Sequence, residues 1–70
     1  MTEYRTPQYK CAVNVLRFLR AVYGKPWEDS NENVKAIVGF LYSEKPLPYF
    51  MADMGDEMKR LYLAHPEWAI

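Results

Sequence analysis

The residues of this chain that could do chemistry are one cysteine, one histidine and a short run of carboxylates. Cys11 falls on the apolar side of a predicted helix, where a thiol is most simply a small buried hydrophobe. It also lies in the first turns of that helix, the position that favours a thiolate nucleophile when a base stands nearby. His65 stands at a predicted helix end, where an imidazolium meets the negative pole of the helix dipole favourably. No second metal ligand or orienting partner lies near it in the sequence.

The acidic run consists of Asp53, Asp56 and Glu57. It lacks the alternating oxygen ligands of a calcium-binding loop, so we expect a solvated helix face there. The three glycines stand too far apart to form a phosphate-binding loop. The sequence therefore predicts no catalytic residue, no metal site and no cofactor, and we expect the protein not to be an enzyme.

Length and composition predict a single domain over residues 1–70. Half of the residues are hydrophobic, and eleven are aromatic (three Phe, two Trp and six Tyr). That is enough for a core without disulfides, and more than three short helices hide easily, which points toward association. The single cysteine excludes an intramolecular disulfide, and no secretory signal is present, so we expect a cytoplasmic protein. The longest apolar run, residues 36–42, is too short to span a membrane.

The net charge is zero, but the two signs are unevenly distributed. Residues 1–25 carry five cations against one carboxylate, which gives +4. Residues 26–70 carry four cations against eight carboxylates, which gives −4. A balanced total argues against nucleic acid as the main partner. The polarity could orient another protein or a second copy of the chain.

Proline and glycine divide the chain into three segments in which apolar residues recur at three and four positions, the spacing of one helix face. We therefore predict an all-α fold, a small three-helix bundle. The helices are expected near residues 7–23, 31–43 and 48–64. Residues 1–5 and 67–70 are expected to be short tails.

The first predicted helix has clear boundaries. Thr6 can cap its start, Pro7 suits its first position, and Gly24 suits the left-handed residue past its end. Its apolar arc covers roughly 200°, more than one neighbouring helix can cover. Either this helix is central and packs against both others, or part of the arc meets another chain.

The second predicted helix has two candidate caps. Asp29 and Glu32 have the spacing of a capping box, and Ser30 is an equally good cap. Phe40 falls well off the apolar stripe, next to Gly39. A glycine inside a helix is costly unless another backbone approaches closely. The pair therefore predicts a contact surface, and a second internal contact, such as with the C-terminal tail, explains it equally well.

The third predicted helix begins near Pro48, which suits a first turn. One apolar stripe continues across Gly55, which favours a single helix that ends before Pro66. We interpret its clustered methionines as core. The members of that stripe are Phe50, Met51, Met54, Met58, Leu61, Tyr62 and His65.

The three stripes together predict the core, with the first helix the most buried. Its expected members are Ala12, Val15, Leu16, Leu19, Ile37, Val38, Leu41, Met54, Met58 and Leu61.

Several large aromatic residues fall outside the stripes, and large aromatics are enriched at binding hot spots. We predict that Trp27, Phe40, Tyr49 and Trp68 form an exposed surface that binds another protein or a second copy. The alternative is that Trp27 and Trp68 close the two ends of the bundle. The corresponding function is a small regulator or inhibitor that occludes a larger partner, a role typical of accessory proteins encoded by phages and other mobile elements.

The alternative function is a helix-turn-helix-like nucleic-acid-binding regulator built from the second and third helices. The connection over residues 43–48 is long for that motif, and the third helix would bring carboxylates toward phosphates. The first helix offers the candidate electrostatic contacts, which are Lys10, Arg17 and Arg20.

Overall fold

Three α-helices make up most of the computed structural model, which describes residues 6–69. They are α1 (Pro7–Tyr23), α2 (Asn31–Ser43) and α3 (Gly55–Ala64). No strand occurs within the described range. The fold is the predicted all-α three-helix bundle, with α1 packed against both α2 and α3.

Helix α1 begins and ends where the sequence predicts. The Thr6 hydroxyl accepts a hydrogen bond from the Tyr9 backbone N–H at 3.3 Å, which satisfies one of the first-turn donors. At the other end, Gly24 has a φ of +68°, and its N–H donates to the Arg20 carbonyl at 3.1 Å. Glycine is favoured there because it adopts the left-handed conformation without steric cost.

Helix α2 is capped by Ser30, whose hydroxyl accepts from the Asn33 N–H at 3.3 Å. The alternative capping box does not form, and the Asp29 carboxylate pairs with Arg17 of α1. The helix ends at Ser43, and the residue after it, Glu44, is a non-glycine residue with a φ of +54°.

The third helix is shorter than predicted. α3 begins at Gly55, and the preceding residues form a turn and a short 3₁₀ helix, Ala52–Met54. Their backbone hydrogen bonds span three residues: Met51 N–H to Pro48 carbonyl at 2.9 Å, and Met54 N–H to Met51 carbonyl at 2.9 Å. An apolar spacing of three residues fits this tighter winding as well as an α-helix, which is why the single stripe misplaced the helix start.

Gly55 allows α2 and α3 to approach closely. A Cβ at this position would lie 3.1 Å from the Phe40 Cζ and 3.5 Å from the Leu47 Cδ1. The first distance is shorter than ordinary van der Waals contact. The glycine is therefore favoured by close packing and not by its backbone conformation, since its φ of −58° is an ordinary helical value.

Most of the predicted core is confirmed. Helix α1 supplies five buried residues, more than any other element. Val38, Leu41 and Met54, also predicted as core, are half-buried and pack against its edge. The buried apolar residues are Cys11, Ala12, Val15, Leu16, Leu19, Trp27, Val34, Ile37, Met51, Met58 and Leu61.

The residues after α3 are not a free tail. Pro66–Ala69 form a second 3₁₀ helix that packs on α1. The side-chain amide of Asn14 donates to the Trp68 carbonyl at 3.3 Å. The other predicted tail residues, 1–5 and 70, lie outside the described part of the chain.

Candidate functional site

The connection between α2 and α3 presents two aromatic side chains to solvent. Tyr49 is 92% exposed and Phe50 is 43% exposed. Their rings meet edge to face, with centroids 5.7 Å apart. We call this pair the aromatic turn.

The aromatic turn is held between two anchors. Leu47 packs against the core on one side, and Met51 is fully buried on the other. Backbone bonds from the Met51 and Ala52 N–H groups to the Pro48 and Tyr49 carbonyls close the turn. Both aromatic side chains are therefore displayed on a fixed backbone.

The connection between α1 and α2, by contrast, buries its aromatic residue. Trp27 is only 4% exposed and belongs to the core. The expectation that it lies outside the core is wrong. That expectation was based on helical spacing alone, which does not predict packing between residues that are distant in the sequence. The burial agrees with the alternative that Trp27 closes one end of the bundle.

Polar contacts hold this first connection in place. Arg17 pairs with Asp29 at 3.0 Å, and the Asn33 side-chain amide donates to the Glu28 carbonyl at 2.8 Å. The Lys25 ammonium reaches the Asp53 carboxylate at 3.0 Å, which links the two connections to each other.

A cleft of about 420 Å³ lies between the two connections. Its apolar lining comes from Pro26, Trp27 and Phe50. We call it the Trp27 cleft. Trp27 thus lines the Trp27 cleft, and Tyr49 contacts Phe50, another residue of its lining. Two of the four predicted binding residues therefore belong to one region.

Carboxylates dominate the charged lining of the Trp27 cleft. Asp53 is paired with Lys25, the lining cation. Glu28 and Glu32 are exposed and form no ion pair within residues 6–69. The positive pole at the start of α2 offsets roughly half a charge, so the cleft keeps a net negative character.

Phe40 and Trp68 do not line the Trp27 cleft. Phe40 is half-buried against Gly55 and Leu47, with the Lys59 ammonium 5.1 Å from its ring centroid. Phe40 therefore makes the second internal contact that the sequence left open, although with α3 and not with the C-terminal tail.

Trp68 is half-buried against the outside of the bundle. It stacks on His65, with ring centroids 4.0 Å apart and an interplanar angle of 6°. Its ring also lies 5.8 Å from that of Phe18. Trp68 thus packs on the bundle beside α1.

The three candidate cations on α1 do not act as one patch. Arg17 and Arg20 line a shallow depression together with Lys25. Arg17 and Lys25 are already paired with carboxylates. Lys10 is exposed but does not line that depression.

The chemistry-bearing residues have structural partners. Burial raises the pKa of the Cys11 thiol, which hydrogen-bonds Tyr42, so the thiolate that a nucleophile needs is disfavoured. His65 Nδ1 lies 2.9 Å from a Glu67 oxygen, and this hydrogen bond lowers the pKa of Glu67. Within residues 6–69, no group of three or more His, Cys, Asp or Glu side chains is placed to hold a metal ion.

Phe50 is the candidate that sequence reasoning missed. The sequence predicts Phe50 in the buried stripe of the third helix. It is exposed because α3 begins only at Gly55, five residues after Phe50. The signal that could have found it is the pair Pro46 and Pro48, which favours an extended connection over a helix start.

The chain matches no protein-family model, no curated protein and no solved structure with which it was compared. No helix among the described residues is both long and apolar enough to cross a membrane. Any function must therefore be inferred from the arrangement of the side chains.

Proposed function

We propose that this chain is a small non-enzymatic protein-binding factor, a regulator or inhibitor that occludes a surface of a larger partner. The observation that carries the proposal is Tyr49, 92% exposed on a turn that the half-buried Leu47 and the fully buried Met51 hold in place. The binding surface comprises the aromatic turn and the adjoining Trp27 cleft.

The exposed aromatic pair has the properties of a binding hot spot. Tyr combines a large apolar ring with a polar hydroxyl and has few rotatable bonds, so it gains contact area at low entropic cost. Because Leu47 and Met51 fix the backbone on both sides, little ordering remains to be done on binding. An exposed aromatic pair next to an apolar cleft is also the kind of surface that marks an interaction site.

The proposed setting follows from the size and character of the chain. Small all-helical accessory proteins, such as inhibitors encoded by phages and other mobile elements, act in the cytoplasm by covering part of a larger protein. A three-helix bundle that displays an aromatic surface on a fixed turn suits that role.

The helix-turn-helix alternative has less support. Residues 44–54 separate α2 from α3, whereas that motif uses a turn of three or four residues. The first turn of α3 carries Asp56 and Glu57, which phosphates would repel.

The proposal can be tested by site-specific photo-crosslinking in the native host. A photoreactive amino acid replaces Tyr49 in one variant and Leu63 in the other. Leu63 is the matched control because it is 75% exposed on α3 and does not line the Trp27 cleft. We expect one dominant protein to be captured at position 49 and not at position 63.

The purified partner then allows a quantitative test. Tyr49→Ala should weaken its binding by about 2 kcal/mol, or about 30-fold, whereas Leu63→Ala should leave it unchanged. Equal effects of the two substitutions, or crosslinks of position 49 to nucleic acid alone, would contradict the proposed function.

A further inference from the structure

We infer that the Trp27 cleft receives a large apolar side chain of the partner that is flanked by lysine or arginine. This inference rests on the proposed function and adds the chemistry of the partner segment. It follows from the two kinds of side chain that line the cleft.

The apolar lining selects the anchor. Pro26, Trp27 and Phe50 border a cleft of about 420 Å³, a volume within the range of sites that enclose small ligands. Trp27 is held by the core and cannot swing out to fill the space itself. An aliphatic or aromatic side chain of the partner would displace water from this lining, which is favourable.

The charged lining selects the neighbours of that anchor. Asp53 is neutralised by Lys25 at 3.0 Å, but Glu28 and Glu32 have no cationic partner among residues 6–69. A partner segment with a cation beside its anchor would supply the missing opposite charge. An acidic segment would face like charges as well as the cost of desolvating them.

The two glutamates are held where a partner would meet them. Glu32 lies in the first turn of α2, which Ser30 caps. The Glu28 backbone is fixed by the Asn33 side chain, which donates to its carbonyl at 2.8 Å. Their backbone positions are therefore set before binding, which reduces the entropy lost on association.

The experiment is a selection from a displayed library of random peptides against the purified chain at physiological salt. We expect the enriched peptides to carry an aromatic or large aliphatic residue within three positions of Lys or Arg. A synthetic peptide of the enriched sequence then serves as the probe for binding measurements.

Charge reversal provides the decisive comparison. Glu32→Lys should weaken peptide binding about tenfold, mainly through a slower association rate that depends on salt. Asp56→Lys is the matched control, because Asp56 is an exposed carboxylate in the first turn of α3 and does not line the cleft. Asp56→Lys should leave binding unchanged, and both variants should keep the helical circular dichroism of the original chain.

The outcomes separate this inference from the proposed function. Peptides without Lys or Arg that bind Glu32→Lys normally but lose affinity for Tyr49→Ala would overturn the inference and leave the proposed function standing. No enrichment, or peptides that bind all variants equally, would overturn both. Sedimentation could instead show a dimer that Glu32→Lys dissociates and that a mixture of Glu32→Lys with Arg20→Glu restores. That result would identify a second copy as the occupant and overturn the inference.

Discussion

The two connections of the bundle treat their aromatic residues in opposite ways. The first, between α1 and α2, buries Trp27 in the core, whereas the second, between α2 and α3, displays Tyr49 and Phe50. Trp27 directly follows Pro26 and Tyr49 directly follows Pro48, so local composition does not distinguish the two connections. The difference lies in which residue of each connection fills the core: Trp27 in the first, and Leu47 and Met51 in the second.

The consequence is that an aromatic residue outside a helical stripe is not thereby a surface residue. In the first connection the aromatic residue itself, Trp27, enters the core. In the second connection two aliphatic anchors leave the aromatics outside, which makes the aromatic turn available for binding.

The comparison is tested most severely at Trp27. Replacing it with Ala should cost about 3–5 kcal/mol of unfolding free energy, because it removes a buried aromatic and leaves a cavity. Chemical denaturation measures the loss, with Trp27→Phe as a milder variant for the case that the alanine variant does not fold. A loss under about 1 kcal/mol would mean that Trp27 is not an anchor.

Within the second connection, the neighbours Met51 and Phe50 should behave differently. Met51→Ala should cost about 2–5 kcal/mol, since this side chain is fully buried. Phe50→Ala should cost less, because Phe50 is 43% exposed. Denaturation of the two variants in parallel checks the order, and a larger loss at Phe50 would show that the third helix continues through this position as its stripe suggested.

Tyr49→Ala should change the unfolding free energy by no more than about 0.5 kcal/mol, the range of ordinary surface substitutions. Its side chain contacts solvent and the Phe50 ring, and nothing in the core depends on it. Thermal and chemical unfolding measure this directly. A destabilisation comparable to that of Trp27→Ala would remove the distinction between the two connections.

The C-terminal 3₁₀ helix carries a half-buried aromatic residue, Trp68, which is intermediate between Trp27 and Tyr49. We expect the smallest change in unfolding free energy there. The hydrogen bond from His65 holds the pKa of Glu67 below its ordinary value of 4.5. Because the carboxyl pKa is lower in the folded chain, the charged Glu67 stabilises the fold at pH values above its ordinary pKa. This stabilisation is lost as the pH falls through the lowered pKa. Glu67→Gln should therefore be slightly less stable than the original chain near pH 6, and the difference should fade as the pH falls through the lowered pKa of Glu67. A difference that persists in acid would show that the Glu67 charge is not its cause.

Local signals in the sequence were sufficient for the helix boundaries that depend on local chemistry. Thr6, Pro7 and Gly24 delimit α1 as predicted, because capping and a left-handed residue involve only near neighbours. Ser30 likewise caps α2. Asp29, the other candidate cap, pairs with Arg17 of another helix, a contact that the local sequence does not predict.

The features that the sequence did not predict depend on distant contacts. The close approach of Gly55 to Phe40 and the burial of Trp27 in the core both join residues that are far apart in the sequence. Of the predicted binding residues, Tyr49 is the one that is almost fully exposed to solvent. Its neighbour Phe50 was not predicted as a binding residue, because its spacing fits the apolar stripe of an α-helix as well as a 3₁₀ turn.

The burial of Cys11 gives this chain a built-in reporter of its own opening. The thiol is 1% exposed, and its raised pKa keeps it protonated in the folded state. An alkylating reagent should therefore modify it only during excursions that expose α1. Because the chain contains no other cysteine, the labelling rate under native conditions, divided by that of the unfolded chain, gives the equilibrium constant of those excursions directly.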